Sequence, residues 1–502
     1  MALAFGLKGG DRVSTVAEIG MEDLKRKTIR GGFAKLIGQA INFAVRFVFL
    51  MVVARLLDPA DFGLVAMVTA VTGVYDLFST GGLSSAAIQQ ATVTEEQIST
   101  LFWINMLIGV MLAVLCLLSA PLLAYFYHEP RLFWVTVVLA GGFVFTAAGA
   151  QHIAILQRHL RYVAQTAIEA LTAVASAAVA IVLAIAGFGY WALVISAVVG
   201  PVVNTAALWA VVGWMPGMPR RNVGVRAMLH FGGTVTLNNL VVYIAYNSEK
   251  VLLGRFWGAD ALGLYGRANQ LINIPTNQLN SAIGGVAFSA LSRLQDDPIQ
   301  FKNYFLKGYS LVIAMTAPIT LFSAAFADDI ILVVLGPKWT EAAVIFRLLT
   351  PTVLIFGIIN PTAWLLLSVG LQRRSLAIAL VIAPLCVTAY VIGLPYGPSG
   401  VALAYSIAMT LWLAPHILWC LKGTMVSPRE FLLAMWPPIA SAAVAAALAF
   451  AAQFYFAQWQ SSLSRLLFGA FVMAVAYAGM LLFVMGRKSF YLGLLGQLRN
   501  PS

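Results

Sequence analysis

The chain has 502 residues, of which 61% are apolar and only 10% are charged. Because an average soluble protein carries about 25% charged residues, a water-soluble globule of this size is not expected. The formal net charge of +12 would indicate nucleic-acid binding only if the basic residues clustered on one soluble face. Length and composition instead predict a membrane protein that crosses the bilayer many times.

Residues 1–24 are predicted to form a cytosolic tail, because Asp11 and Glu18 follow a weakly apolar start that lacks the apolar core of a signal peptide. A hydropathy window of about 19 residues then predicts an all-α protein with about 14 transmembrane helices. Their approximate bounds are 31–56, 62–90, 98–126, 132–156, 162–186, 189–213, 228–254, 261–290, 305–334, 342–369, 376–395, 399–420, 432–456 and 463–485.

The basic residues fix the predicted orientation of these spans. With the N-terminus inside, 21 of the 31 Lys and Arg residues fall in cytoplasmic segments and 5 fall on the opposite side. Cytoplasmic loops are enriched in Lys and Arg, and one miscounted span would destroy this segregation. The sequence therefore predicts an even number of spans and both termini in the cytoplasm.

A short internal repeat divides the predicted spans into lobes. Arg55, Gly63 and Leu64 recur as Arg255, Gly263 and Leu264, at a constant offset of 200 residues. Both copies lie between an odd and an even span, so the repeats are expected to be parallel lobes around a central cavity. The predicted divisions are a six-helix lobe over 25–218, a second six-helix lobe over 219–424, and two additional helices within 425–502.

Polar residues inside a membrane are costly and usually face a water-filled cavity or one another. Three predicted spans carry such residues at helical spacing, and corresponding spans of the two lobes would place them around one cavity. Packing of amides between helices and snorkelling of Lys35 are the competing interpretations. The predicted substrate-binding residues are Lys35, Gln39, Asn42, Arg46, Asn239, Tyr243, Tyr246, Asn247, Lys250, Arg267, Asn269, Asn273 and Asn277.

The charges predicted to lie within the membrane are five bases and three acids. A cavity of net positive charge favours an anionic ligand such as a phosphate or pyrophosphate, and arginine suits bidentate contact with it. The acids either neutralise neighbouring bases or act in ion or proton coupling; they are Asp76, Glu169 and Glu249.

The sequence lacks the catalytic and metal-binding motifs that would indicate a different function. The sequence has no phosphate-binding G-x-x-x-x-G-K-[ST] loop and no His/Cys cluster with the spacing of metal ligands. We therefore expect neither enzymatic activity nor a metal or other cofactor. The acidic pairs Asp296-Asp297 and Asp328-Asp329 are interpreted as helix ends or solvated turns.

Two stretches resemble a known family. The stretch 54–63 (ARLLDPADFG), after a basic N-terminus and one span, resembles the signature of the Wzx-type flippases of bacteria, which move lipid-linked oligosaccharides. The stretches 247–254 (NSEKVLLG) and 261–271 (ALGLYGRANQL) are similar to that family's second recurring region. The family belongs to the superfamily of the MATE drug antiporters and the lipid II flippase MurJ, and the likeness covers about residues 24–490.

The resemblance implies a MATE/MurJ-like fold and alternating access. In that scheme two lobes rock, the sugar-pyrophosphate head crosses in the cavity, and the polyprenyl tail stays in lipid. The sequence departs from the family pattern at Glu249, where Asp is usual, and at Asn269-Gln270, where a Tyr-Gln pair is usual. These departures leave the role of the acid open and bear on the choice of substrate.

The leading hypothesis is therefore export of polyprenyl-pyrophosphate-linked oligosaccharide for O-antigen, capsule or exopolysaccharide assembly. Its expected partners are that lipid, membrane lipids and polysaccharide polymerase or export machinery, without nucleic acid. A cation-coupled drug antiporter of the MATE kind is the alternative in the same fold, although a net positive cavity disfavours cationic drugs. A membrane glycosyltransferase or polymerase is the third hypothesis, against which the short predicted loops argue.

Overall fold

The computed structural model describes residues 43–80, 94–159, 161–220, 226–456, 461–489 and 491. Every regular element within these ranges is helical, as the composition predicts. This is what a bilayer demands, since a helix satisfies its own backbone hydrogen bonds where no water is present. Ten stretches of the described residues are long and apolar enough to span a membrane, so the chain is a multi-pass membrane protein.

The chain forms two compact units, the first ending at Gly263 and the second beginning at Leu264. Helices α1 to α6 belong to the first unit. Helix α1 covers residues 43–56, and the others are α2 (Pro59–Thr80), α3 (Glu95–Tyr127), α4 (Arg131–Arg158), α5 (Tyr162–Ile185) and α6 (Tyr190–Val212).

Helix α7 (Arg226–Arg293) is 68 residues long and bends at Gly258, whose φ of 82° and ψ of −174° are not helical. Positive φ is accessible to glycine at little cost because it has no Cβ atom. The bend separates two helical stretches, 226–257 and 259–293. Each is longer than the roughly 20 residues that a membrane crossing needs, but neither is among the ten stretches that are also apolar enough, so the two spans predicted there stay a prediction.

The remaining helices belong to the second unit. They are α8 (Pro298–Ala325), α9 (Ala327–Val334), α10 (Ala342–Leu349), α11 (Pro351–Ser368), α12 (Gln372–Gly393), α13 (Gly397–Leu421), α14 (Pro428–Phe456) and α15 (Ser462–Gly479). Asp297 caps α8 by accepting hydrogen bonds from the backbone N–H groups of Ile299 and Gln300, at 3.1 and 3.0 Å. Asp297, the second member of the acidic pair Asp296-Asp297, therefore marks a helix end, as predicted.

The core of the second unit joins helices that are distant in sequence. Phe305 and Tyr309 of α8 stack on one another, and Tyr309 stacks on Phe431 of α14 with ring centroids 4.1 Å apart. Met473 of α15 is buried in the same cluster. The last two helices are therefore packed into the core of this unit.

Candidate functional site

An open cavity of about 350 Å³ lies within the first unit, between α1, α5 and α6. Its volume is within the range of small-molecule sites. Arg46 of α1 and Glu169 of α5 both line it, and both side chains are exposed. The structure therefore brings together a residue predicted to bind substrate and one predicted to couple ions, although 123 positions separate them in the sequence.

Arg46 lines this cavity, and its guanidinium makes no hydrogen bond or ion pair with another described residue. Glu169 is held more firmly, because the side-chain amide of Gln165 donates to its Oε1 at 2.8 Å. A fixed acceptor and an available five-donor fork thus border the same space. Such a pair can bind a ligand that carries both an anionic group and hydroxyl groups.

Four further polar side chains line this cavity, and sequence reasoning missed them: Thr172, Ser176, Ser196 and Asn204. The first two follow Glu169 by three and seven positions, a spacing that places them on its face of the helix. That signal was present in the sequence. Ser196 and Asn204 lie on α6, and their contribution depends on how α6 packs on α5.

The predicted polar face of α7 before the bend is a series of hydrogen-bonded neighbours. Lys250 donates its Nζ to the Oδ1 of Asn247 at 2.7 Å, and the side-chain amide of Asn247 donates to the carbonyl of Tyr243 at 2.9 Å. The hydroxyl of Tyr243 lies 3.1 Å from the carbonyl oxygens of both Thr69 and Ala70 of α2. This face therefore contacts α2 at Tyr243, while Asn239 is exposed and Tyr246 is half-buried.

Glu249 differs from the other two predicted coupling residues. Its side chain is only 1% exposed, and no described residue donates a hydrogen bond to its Oε2. Asp76 on α2 is exposed, as Glu169 is. A buried carboxyl group with an unsatisfied oxygen is costly when it is ionised, and this environment distinguishes Glu249 from the two exposed acids.

The predicted residues beyond the bend form local pairs. Asn273 donates its side-chain amide to both the backbone carbonyl and the Oδ1 of Asn269, each at 2.9 Å. Arg267 donates to the side chain of Gln270, and Asn277 is exposed. The first part of the predicted set, Lys35, Gln39 and Asn42, lies outside the described residues.

Two further charges have partners that the sequence did not indicate. Arg347, the fifth of the bases predicted to lie within the membrane, pairs with exposed Asp328. Asp329, interpreted with Asp328 as a helix end or solvated turn, does lie in the first turn of α9, but it is only 4% exposed and accepts from Arg465 of α15 at 2.5 Å. The sequence gives no sign of this pair because its members are 136 positions apart.

Comparison with known proteins identifies the family of this chain. The sequence profile described as "Polysaccharide biosynthesis protein" matches residues 52–344, more than half of the chain. The chain belongs to this family. The matched region includes the motifs at 54–63 and 261–271 in full, and it contains Glu169 and all the predicted α7 residues, while Arg46 lies just before it.

Two curated relatives are similar to this chain over most of its length. The lipopolysaccharide biosynthesis protein WzxC of Escherichia coli is 26% identical over 83% of this chain and 85% of its own. The teichuronic acid biosynthesis protein TuaB of Bacillus subtilis is 28% identical over 71% of this chain and 70% of its own. The two sequences are associated with different polysaccharides.

The fold is that of a solved lipid transporter. The lipid II flippase MurJ, in an inward closed conformation, superposes with a TM-score of 0.70, covering 90% of this chain and 98% of the other at 14% identity. At this identity the similarity concerns the fold alone. The predicted MurJ-like fold is therefore confirmed.

Proposed function

We propose that this protein is a transporter that exports polyprenyl-pyrophosphate-linked oligosaccharide across the bacterial inner membrane by alternating access. Membership of the polysaccharide biosynthesis family and the fold of a lipid II flippase support a lipid-linked glycan as cargo. In this proposal the chain has 14 spans in two lobes with two added helices, its termini are cytoplasmic, and it needs no catalytic residue.

The observation that carries the proposal is the available guanidinium of Arg46 in the polar cavity of the first unit. An arginine fork binds phosphate oxygens bidentately. Glu169, Ser176 and Asn204 border the same cavity and would hydrogen-bond to sugar hydroxyls. Arg46 would therefore bind the pyrophosphate while the other groups bind the glycan.

Replacing Arg46 tests this assignment. Hydrogen bonds to charged groups contribute about 1.5–3 kcal/mol, so we expect Arg46→Ala to lower export about tenfold or more at a normal protein level. Arg46→Lys keeps the charge but loses the bidentate geometry, and export should be intermediate. The measurement is restoration of surface polysaccharide in a strain that lacks the chromosomal gene.

Arg429→Ala is the matched control. Arg429 is exposed on α14 and belongs to the second unit, whereas all residues that line the cavity belong to the first. It should export as the unchanged protein does. Full export by Arg46→Ala, with the protein inserted normally, would remove Arg46 from the binding site.

A further inference from the structure

The two copies of the repeated motif contact each other reciprocally. A Cβ atom placed on Gly63 would lie 1.7 Å from the carbonyl oxygen of Ala259, and one placed on Gly263 would lie 1.9 Å from that of Pro59. Gly63 and Gly263 are 200 positions apart, as are Pro59 and Ala259. The offset of the sequence repeat thus reappears as a two-fold exchange of contacts, which we call the glycine crossing.

The local structure of the two copies explains this exchange. Helix α2 begins at Pro59, and helical geometry resumes in α7 at Ala259 after the bend at Gly258. Gly63 follows Pro59, and Gly263 follows Ala259, by about one helical turn, so each glycine lies on the same helix face as the residue that begins its helical stretch. Only a hydrogen atom fits where each glycine meets the other copy's carbonyl, so the two backbones approach as closely as small residues allow in membrane helices.

The contact continues from the glycine crossing along α2 and the first stretch of α7. A Cβ atom on Gly254 would lie 3.0 Å from the Cγ of Met67, and one on Gly73 would lie 2.0 Å from the hydroxyl of Tyr243. That hydroxyl is hydrogen-bonded to α2 carbonyl groups. On α2 the seam runs from Pro59 to Gly73, roughly 20 Å at 1.5 Å per residue, which is more than half of the ~30 Å hydrocarbon layer.

We propose that this seam, closed at its end by the glycine crossing, is the outer gate of the transporter and must part before the cargo leaves. This inference rests on the proposed alternating access and on the predicted orientation, which puts residues 57–59 and 257–259 outside. Because both copies of the repeat contribute equally, rotation of one against the other separates both glycine contacts together.

Labelling of a thiol in the seam tests the gate without any cargo. Met67 is 1% exposed, and the native cysteines Cys116, Cys386 and Cys420 are each 0% exposed, so a Met67→Cys protein gives a site-specific signal over a low background. Spheroplasts would be treated with a membrane-impermeant maleimide. The same chain without Met67→Cys measures the background.

Gly63→Ala and Gly263→Ala should each raise the labelling rate of the thiol at position 67 about tenfold, because a methyl group cannot occupy either contact and the closed state loses population. Gly266→Ala is the matched control. It lies one turn from Gly263, and a Cβ atom there meets no described atom within 4 Å. It should label at the unmodified rate.

Tyr243→Phe is a second, milder variant in case a glycine variant fails to reach the membrane. It removes the hydroxyl that bonds to α2 without adding bulk, and labelling at position 67 should rise several-fold. If every variant that inserts labels at the rate of Gly266→Ala, the seam is not a gate. That result would leave the proposed cargo untouched, because the labelling does not measure export.

Discussion

At the scale of single residues, neighbouring Asp328 and Asp329 have opposite environments. The side chain of Asp328 is 72% exposed and pairs with Arg347. Asp329 is buried and accepts from two nitrogens of Arg465, Nε at 3.2 Å and Nη2 at 2.5 Å, and from Gln453 at 3.4 Å. The buried pair joins α9 to α15, so it holds the end of the chain to the rest of its unit.

These two environments predict different costs of substitution. Arg465→Ala leaves a buried carboxylate without its cation and should cost about 3–5 kcal/mol. Asp328→Asn breaks an exposed pair and should cost about 1 kcal/mol or less. Thermal unfolding of the purified proteins in one detergent measures the difference. Equal midpoints for the two variants would contradict the structural role of the buried pair.

The site could be predicted only in part at this scale. The depth of Arg46 in a predicted span marked it as costly and therefore functional, and the structure places it in a polar cavity. Its proximity to Glu169 depends on how α1 packs on α5, which helical spacing within one span does not encode. The competing interpretation assigned helix packing to amides, but the residue that joins two helices in this way is Tyr243, whose hydroxyl bonds to backbone carbonyls of α2.

At the scale of elements, the predicted spans agree well with the helices. The spans 162–186 and 189–213 correspond to α5 (Tyr162–Ile185) and α6 (Tyr190–Val212), because the thickness of the bilayer sets the length of each apolar run. The span predicted at 305–334 overlaps the candidate span Pro298–Ala325, but its end was placed too late, because the helix breaks at Phe326 into α8 and α9. No proline or glycine marks that break, whereas the break within 342–369 is marked by Pro351 at the start of α11.

The bend in α7 leads to a prediction about topology. The stretches on either side of Gly258 should cross the membrane in opposite directions, so residues near the bend and residues after Arg293 should face opposite sides. A cysteine at Asp260, which is exposed, should react with an impermeant maleimide in spheroplasts. A cysteine at Asp296, just after α7, should react only after the membrane is permeabilised.

Reaction of both cysteines from the same side would contradict the double crossing and, with it, the predicted even number of spans. Because the three native cysteines are buried, they should contribute little to either signal. The unsubstituted chain provides the background for both.

At the scale of the whole molecule, two divisions of the chain differ. The predicted lobes change at 218/219, in the loop before α7, whereas the compact units meet at Gly263 and Leu264 within α7. The seam supplies a physical reason, since the first stretch of α7 packs against α2 through Tyr243 and Gly254. The lobe boundaries and the count of 14 spans stay predictions.

The sequence alone predicted the helical membrane fold and the family, because composition and two short motifs encode both. It did not predict which polar residues share a cavity or which charges pair, since those depend on packing between distant segments. The charge of +12 is explained mainly by the predicted topology. Only a few charged groups predicted to lie within the membrane, above all Arg46, are left as candidates for binding the cargo.

The proposed export is tested most directly by the fate of the lipid-linked oligosaccharide when the gene is removed. Inner-membrane lipids would be extracted, and accessibility to an impermeant sugar-oxidising reagent would assign them to a leaflet. A flippase predicts that a polyprenyl-pyrophosphate oligosaccharide accumulates on the cytoplasmic leaflet and disappears from it when the unchanged gene, but not Arg46→Ala, is restored. If no such lipid accumulates on that leaflet, this protein is not its exporter.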